Sequence, residues 1–172
     1  MPGWNLSRVG DSALVLAFDQ RIDPSLNQLM ICVADAVRWS EHPGVLDVVE
    51  SYCTVTVHFD PLKTDVERVV TDLEVAASRG AVADDHRVEG ITDRVLTVPV
   101  CYGGSRGPDL DEVARFGACT PSRVVALHAG RDYRVYMLGF LPGFAYMGSV
   151  DRRIAAPRRE TPRPCVPAGS VG

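Results

Sequence analysis

The chain has 172 residues, 46% of them hydrophobic and 23% charged, an ordinary globular balance with material for one sizeable core or two small ones. No apolar run approaches the roughly 18–20 residues that span a bilayer, and the opening MPGWNLSRVGDS has neither the basic nor the apolar region of a secretory leader. Five scattered cysteines, Cys32, Cys53, Cys101, Cys119 and Cys165, argue for reduced thiols in a cytoplasmic setting and against a zinc site or a disulfide framework.

The net charge of −4 is unevenly spread. Residues 150–172 carry Arg152, Arg153, Arg158, Arg159 and Arg163 against only Asp151 and Glu160. A mildly acidic body with a basic end lacks the broad basic face of a nucleic-acid binder. It suits a local site for an anionic group or an acidic partner. Lys63 is the one lysine, which leaves almost none for Schiff-base chemistry.

In chain order, residues 12–18 (SALVLAF) read as a strand. Asp23-Pro24 supplies an N-cap and a first-turn proline, and Leu26, Leu29, Met30, Val33 and Val37 follow at helical spacing to about Trp39. Residues 45–49 form a second strand. Residues 53–59 alternate, with Val55, Val57 and Phe59 on one side and Thr54, Thr56 and His58 on the other. Thr64 to Glu67 has the form of a capping box, opening a helix to about Ser78. Residues 80–93 are a polar connector and residues 94–100 (RVLTVPV) another strand.

This β-α-β-β-α-β order predicts a ferredoxin-like sandwich. Residues 94–100 are assigned to a second domain, and a short strand near residues 4–9 helps the first. Beyond Cys101, residues 109–116 and 120–128 predict two helices, the second capped by Thr120-Pro121, and residues 134–138 a strand. Pro157, Pro162, Pro164 and Pro167 rule out a regular element near the end. The expected organisation is residues 1–85 and residues 86–172.

Short catalytic signatures are missing: no phosphate loop, no HExxH, no GxSxG. The glycine-rich residues 103–107 lack a lysine and a strand-to-helix setting and read as a turn. His128, at a helix end, either complements the negative helix terminus or carries a proton at a site. His42, His58 and His86 read as surface residues, and Cys165 as a structural thiol in spite of its arginine neighbours. GFLPGFAYMGSV, residues 139–150, is too apolar for a solvent loop and too broken for a helix. It is either a packed loop or a ligand wall of glycine backbone and aromatic faces.

Residues 133–152 (YRVYMLGFLPGFAYMGSVDR) and 157–172 (PRRETPRPCVPAGSVG) resemble the signature of the KipI family. So do residues 101–110 (CYGGSRGPDL), Leu127-His128 and residues 10–14 (GDSAL). That family groups the B-type subunit of 5-oxoprolinase, proteins labelled allophanate hydrolase subunit 1 and part of urea amidolyase carboxyltransferase domains. The resemblance covers nearly the whole chain and implies a small α+β domain followed by a cyclophilin-like β-barrel. Family members continue beyond VPAGSVG, so the barrel is expected to be incomplete at Gly172.

The resemblance further implies a heteromeric enzyme that hydrolyses 5-oxo-L-proline to L-glutamate with ATP. The implied partners are the C-type 5-oxoprolinase subunit (an allophanate hydrolase subunit 2-like protein) and the A-type one. No metal or biotin site, nucleic acid or membrane partner is implied for this chain. Under that reading His128 and Arg163 are catalytic. Tyr136, Phe140, Pro142, Gly143, Phe144, Tyr146, Arg158, Arg159, Gly169 and Ser170 contact substrate: aromatics wall the lactam ring, and arginines meet carboxylate or phosphate. The alternatives are an inhibitor of a sensor histidine kinase and a component of a urea carboxylase or allophanate hydrolase.

Overall fold

A computed structural model describes residues 3–80 and 94–171. The described chain is mixed α/β, with antiparallel sheets and four helices. It divides into two compact units, Met1–Leu96 with Tyr133–Gly148, and Thr97–Asp132 with Ser149–Gly172. The expected boundary between residues 85 and 86 lies outside the described residues.

The first unit is built on strands β1 (Trp4–Val9), β2 (Ala13–Phe18), β3 (Val45–Glu50) and β4 (Thr54–Phe59), with helices α1 (Pro24–Trp39) and α2 (Val66–Gly80). The four strands form one antiparallel sheet in the order β1-β2-β4-β3. Register sets Leu14 opposite Val57 and Leu16 opposite Val55, so alternation in both strands turns the same face inward. That face meets Leu26, Leu29, Met30, Val33 and Val37 of α1 and Val69, Leu73 and Ala77 of α2 in one buried cluster. Each of the larger side chains contributes roughly 1.5–3 kcal/mol on full burial.

The ends of the helices follow local chemistry. Asp23 Oδ1 accepts from the backbone N–H groups of Ser25 and Leu26, satisfying donors that the first turn leaves open. At α2 the capping box does not form as expected. Asp65 Oδ1 caps the helix by accepting from Arg68 N at 3.3 Å. Thr64 Oγ1 is buried without a partner and packs so closely on Gly44 that a Cβ there would collide with it.

Two further expectations are corrected. Residues 94–100 form no strand, and Val95, Leu96, Val98 and Val100 are exposed. A strand forms only where a ladder partner exists, and Pro99 removes a donor; β1 joins the first sheet, as expected. His42 is not a surface residue: its ring is buried, with Nε2 2.9 Å from Asp72 Oδ2 on α2.

Strands β5 (Val135–Leu138) and β6 (Ala145–Met147) form an antiparallel hairpin that belongs to the first unit. Asn27, fully buried on α1, donates through Nδ2 to the carbonyls of Ser51 and Tyr136. Tyr52 donates to the Met147 carbonyl and packs on the Tyr136 ring, centroids 5.2 Å apart. Burial pushes the Tyr52 hydroxyl up from its ordinary pKa, with Tyr136 a second cause.

The second unit holds one 3-10 turn (Gly104–Arg106) and two short helices, α3 (Leu110–Phe116) and α4 (Pro121–Ala129). Thr120 caps α4 by accepting from Arg123 N. Its buried cluster is Ala114, Val124 and Ile154, and no strand occurs among its described residues. Residues 155–171 form no helix or strand, as the prolines dictate.

Candidate functional site

The polar constellation of the second unit grows from the loop before α3. Tyr102 opens it and Asp109 closes it. The hydroxyl of Tyr102 lies 2.6 Å from His128 Nδ1, with the rings edge to face. His128 occupies the last turn of α4, where a charged imidazole also complements the helix end. The hydrogen bond fixes one ring nitrogen and the ring's orientation, which a proton carrier requires.

Asp109 stands at the N-cap position of α3 but makes no cap with its side chain. Its carboxylate goes to the arginines. Arg163 donates from Nη1 to Oδ2 at 2.9 Å and from Nη2 to Oδ1 at 2.8 Å, and Arg159 Nη1 donates to Oδ1 at 2.9 Å. The same Arg159 nitrogen donates to Glu112 Oε2 at 3.0 Å. A two-pronged guanidinium–carboxylate pair is the strong form of this contact. Hydrogen bonding from Arg163, then its charge and that of Arg159, hold the Asp109 carboxyl below the usual carboxylate range. Asp109 in return keeps Arg163 more firmly protonated.

Arg158 is exposed on the same arm. Farther along, the Ser170 N–H and hydroxyl both donate to the Pro167 carbonyl, closing a turn with Gly169 at φ +80. A second ion pair, Arg153 to Asp151, closes a local turn at the arm's start and holds Asp151 well below the carboxylate range.

The remaining expected site residues sit on the hairpin of the first unit. Leu141-Pro142-Gly143-Phe144 is a tight turn in which Phe144 N donates to the Leu141 carbonyl. Proline presets the second residue, and Gly143 takes the left-handed third position at φ +78. Phe140, Phe144 and Tyr146 stack in a row, with centroids 5.7 and 5.0 Å apart, and Phe140 is 81% exposed. Tyr136 is buried instead, beneath the Arg134 guanidinium. Beside the hairpin, a groove of about 410 Å³ runs between β3 and β5, lined by Arg38, Val48, Val49, Glu50 and residues 135–138.

The structure thus brings Arg159 and Arg163 together, and joins the row of three aromatics. It holds His128 on Tyr102, a residue that sequence reasoning did not single out. Asp109 and Glu112 were missed as well, although the acidic block of residues 109–112 mirrors the arginine-rich arm in charge. No group of three or more His, Cys, Asp or Glu side chains able to hold a metal ion occurs among the described residues.

Likeness to known proteins extends over nearly the whole chain. A family model for the carboxyltransferase domain, subdomain C and D, matches residues 4–172. The chain is 35% identical over 179 residues to the B-type subunit of 5-oxoprolinase from Bacillus subtilis (strain 168), covering 98% of this chain and 72% of that one. It is 34% identical over 174 residues to the B-type subunit of 5-oxoprolinase from Haemophilus influenzae, covering 98% and 75%. Among solved structures, that of TTHA0988 is similar with a TM-score of 0.71 and 33% identity, over 91% of this chain and 29% of that one.

Proposed function

The chain belongs to the family of the carboxyltransferase domain, subdomain C and D, and on that premise we propose that it is one subunit of an ATP-dependent 5-oxoprolinase. The reaction is 5-oxo-L-proline, ATP and water to L-glutamate, ADP and phosphate, carried out in the cytoplasm with partners of the C and A types. The observation that carries this reading is the likeness to two B-type 5-oxoprolinase subunits at 34–35% identity over 98% of the chain. In fold terms, the first unit is read as a ferredoxin-like sandwich in which β1 takes the fourth strand's place. The cyclophilin-like barrel that the resemblance implies is not formed by the second unit's own described residues, which hold no strand.

Opening a lactam at neutral pH requires an activated carbonyl, and ATP supplies that activation. No phosphate loop is present, and ATP is bound by this chain or together with a partner subunit. In the second unit, His128, oriented by Tyr102, carries a proton. Arg158, Arg159 and Arg163 offer donors to the carboxylate or phosphate, and the turn at Gly169-Ser170 shapes the arm beside them. In the first unit, the Pro142-Gly143 turn displays Phe140 and Phe144, with Tyr146 behind them, as an apolar wall suited to a partner surface or an apolar ligand face. Tyr136 is the hairpin's anchor on its own unit.

The test is co-expression with the partner subunits and an assay of glutamate release from 5-oxo-L-proline and ATP. The assembly is expected to turn over and the lone chain is not. Undiminished glutamate release after Phe144→Ala and Arg163→Ala would remove the site assignment. An assembly that never releases glutamate would remove the reaction.

A further inference from the structure

The three arginines of the arm differ in what they have left to offer. A guanidinium has five N–H donors in a planar fork. Arg163 turns its Nη1–Nη2 edge to Asp109. Arg159 meets both Asp109 and Glu112 through a single nitrogen, Nη1. Among the described residues no partner meets its Nε or Nη2, and the Nε–H with one Nη2 hydrogen forms one edge whose spacing matches two oxygens of a carboxylate or phosphate. The Arg159 side chain is half exposed, which leaves room for a ligand beside the guanidinium.

We propose that Asp109 is the positioning residue of this arm. Its carboxylate ties Arg163 and Arg159 into one rigid unit, and the Nε–Nη2 edge of Arg159 takes the oxyanion of the substrate or co-substrate. Glu112 completes the grip on Arg159. This deepens the proposed 5-oxoprolinase function and rests on it for the identity of the anion.

Charge supports positioning over bulk attraction. Two arginines and two carboxylates sum to no net charge, so the cluster draws anions weakly from a distance. It selects by geometry at contact. A loose Arg159 would lose side-chain freedom on each binding event, a cost that Asp109 and Glu112 have already met in the folded chain. Isolated exposed ion pairs contribute little, but a two-pronged pair inside a network is the exception.

The experiment has two readouts. In the full chain, trypsin cleavage after Arg158 and Arg159 reports whether the arm is held. Asp109→Asn is expected to speed it about tenfold, and Asp109→Glu to stay within about threefold of the parent. In the assembled subunits, Asp109→Asn and Arg159→Lys should each raise the KM of one anionic substrate about tenfold while kcat falls less than threefold.

A rise for 5-oxo-L-proline identifies the anion as its carboxylate, and a rise for ATP identifies it as phosphate; either supports the proposal. Cleavage that stays at the parent rate in Asp109→Asn overturns it, and so does faster cleavage with both KM values unmoved. If the assembly does not turn over oxoproline, the 5-oxoprolinase function fails. Titration of the full chain with 5-oxo-L-proline and with inorganic phosphate, read at the Arg159 Nε–H signal by NMR, then decides. Saturable binding weakened tenfold in Asp109→Asn sustains the proposal, and no saturable shift overturns it.

Discussion

The two units spend their residues differently. The first closes seventeen buried side chains into one cluster between a four-stranded sheet and two helices. The second buries three, Ala114, Val124 and Ile154, and holds its arm by Arg–Asp and Arg–Glu pairs near the surface. Apolar burial is non-directional and scales with area. Ion pairs are directional and weak when solvated. The first unit is therefore built for stability. The second is built to hold polar groups in set directions, and it carries His128 and the arginines.

Truncating each core tests that division most severely. Leu16→Ala, in the fully buried centre of the first sheet, should cost about 3 kcal/mol, the sum of lost transfer energy and an unfilled cavity. Ile154→Ala should cost about 1 kcal/mol, because a three-residue cluster at the surface collapses around the gap. Chemical denaturation gives the totals, and hydrogen exchange gives the location. Equal losses from the two substitutions would break the comparison.

Acid should act on the second unit first, with a smaller effect. Because Asp109 has a folded pKa below the ordinary carboxylate value of about 3.9, its contribution is full above that value. It is lost as pH falls through the lower, folded value. Side-chain NMR signals of Arg159 and Arg163 should therefore shift below about pH 4, while methyl signals of the apolar first core hold. Simultaneous loss of both sets would show that the arm is not separately held.

What could be read from the sequence follows the range of the interactions. Helix α1 was legible to the residue, because Asp23, Pro24 and the apolar spacing act within one or two turns. The inward face of β4 was legible for the same reason, since alternation is local. Residues 94–100 carry a β-branched, apolar signal, yet a strand needs a partner that no local pattern specifies. The candidate site lies at the far end of this scale. Tyr102 meets His128 across 26 positions and Asp109 meets Arg163 across 54. Only the complementary acidic and basic blocks hinted at the second pair, and nothing local hinted at the burial of His42 against Asp72.

The smallest expected effect on stability falls on Phe140, and it sharpens the comparison from within the first unit. Phe140 is mostly exposed and sits at φ +62, a left-handed conformation that costs a non-glycine residue on the order of 1 kcal/mol. Its ring meets Phe144 edge to face, a pairing worth about 0.5–1.5 kcal/mol beyond area. The two terms nearly cancel. Phe140→Gly should accordingly leave the thermal midpoint within about 2 °C of the parent, near the effect of a few tenths of a kcal/mol. Such a residue is where the proposed contact, with substrate or with a partner subunit, is best tested. Glutamate release by the assembled subunits should fall at least tenfold in Phe140→Gly through weaker substrate binding or weaker assembly, which size-exclusion chromatography separates. Full activity together with an unchanged midpoint would return this loop to ordinary surface.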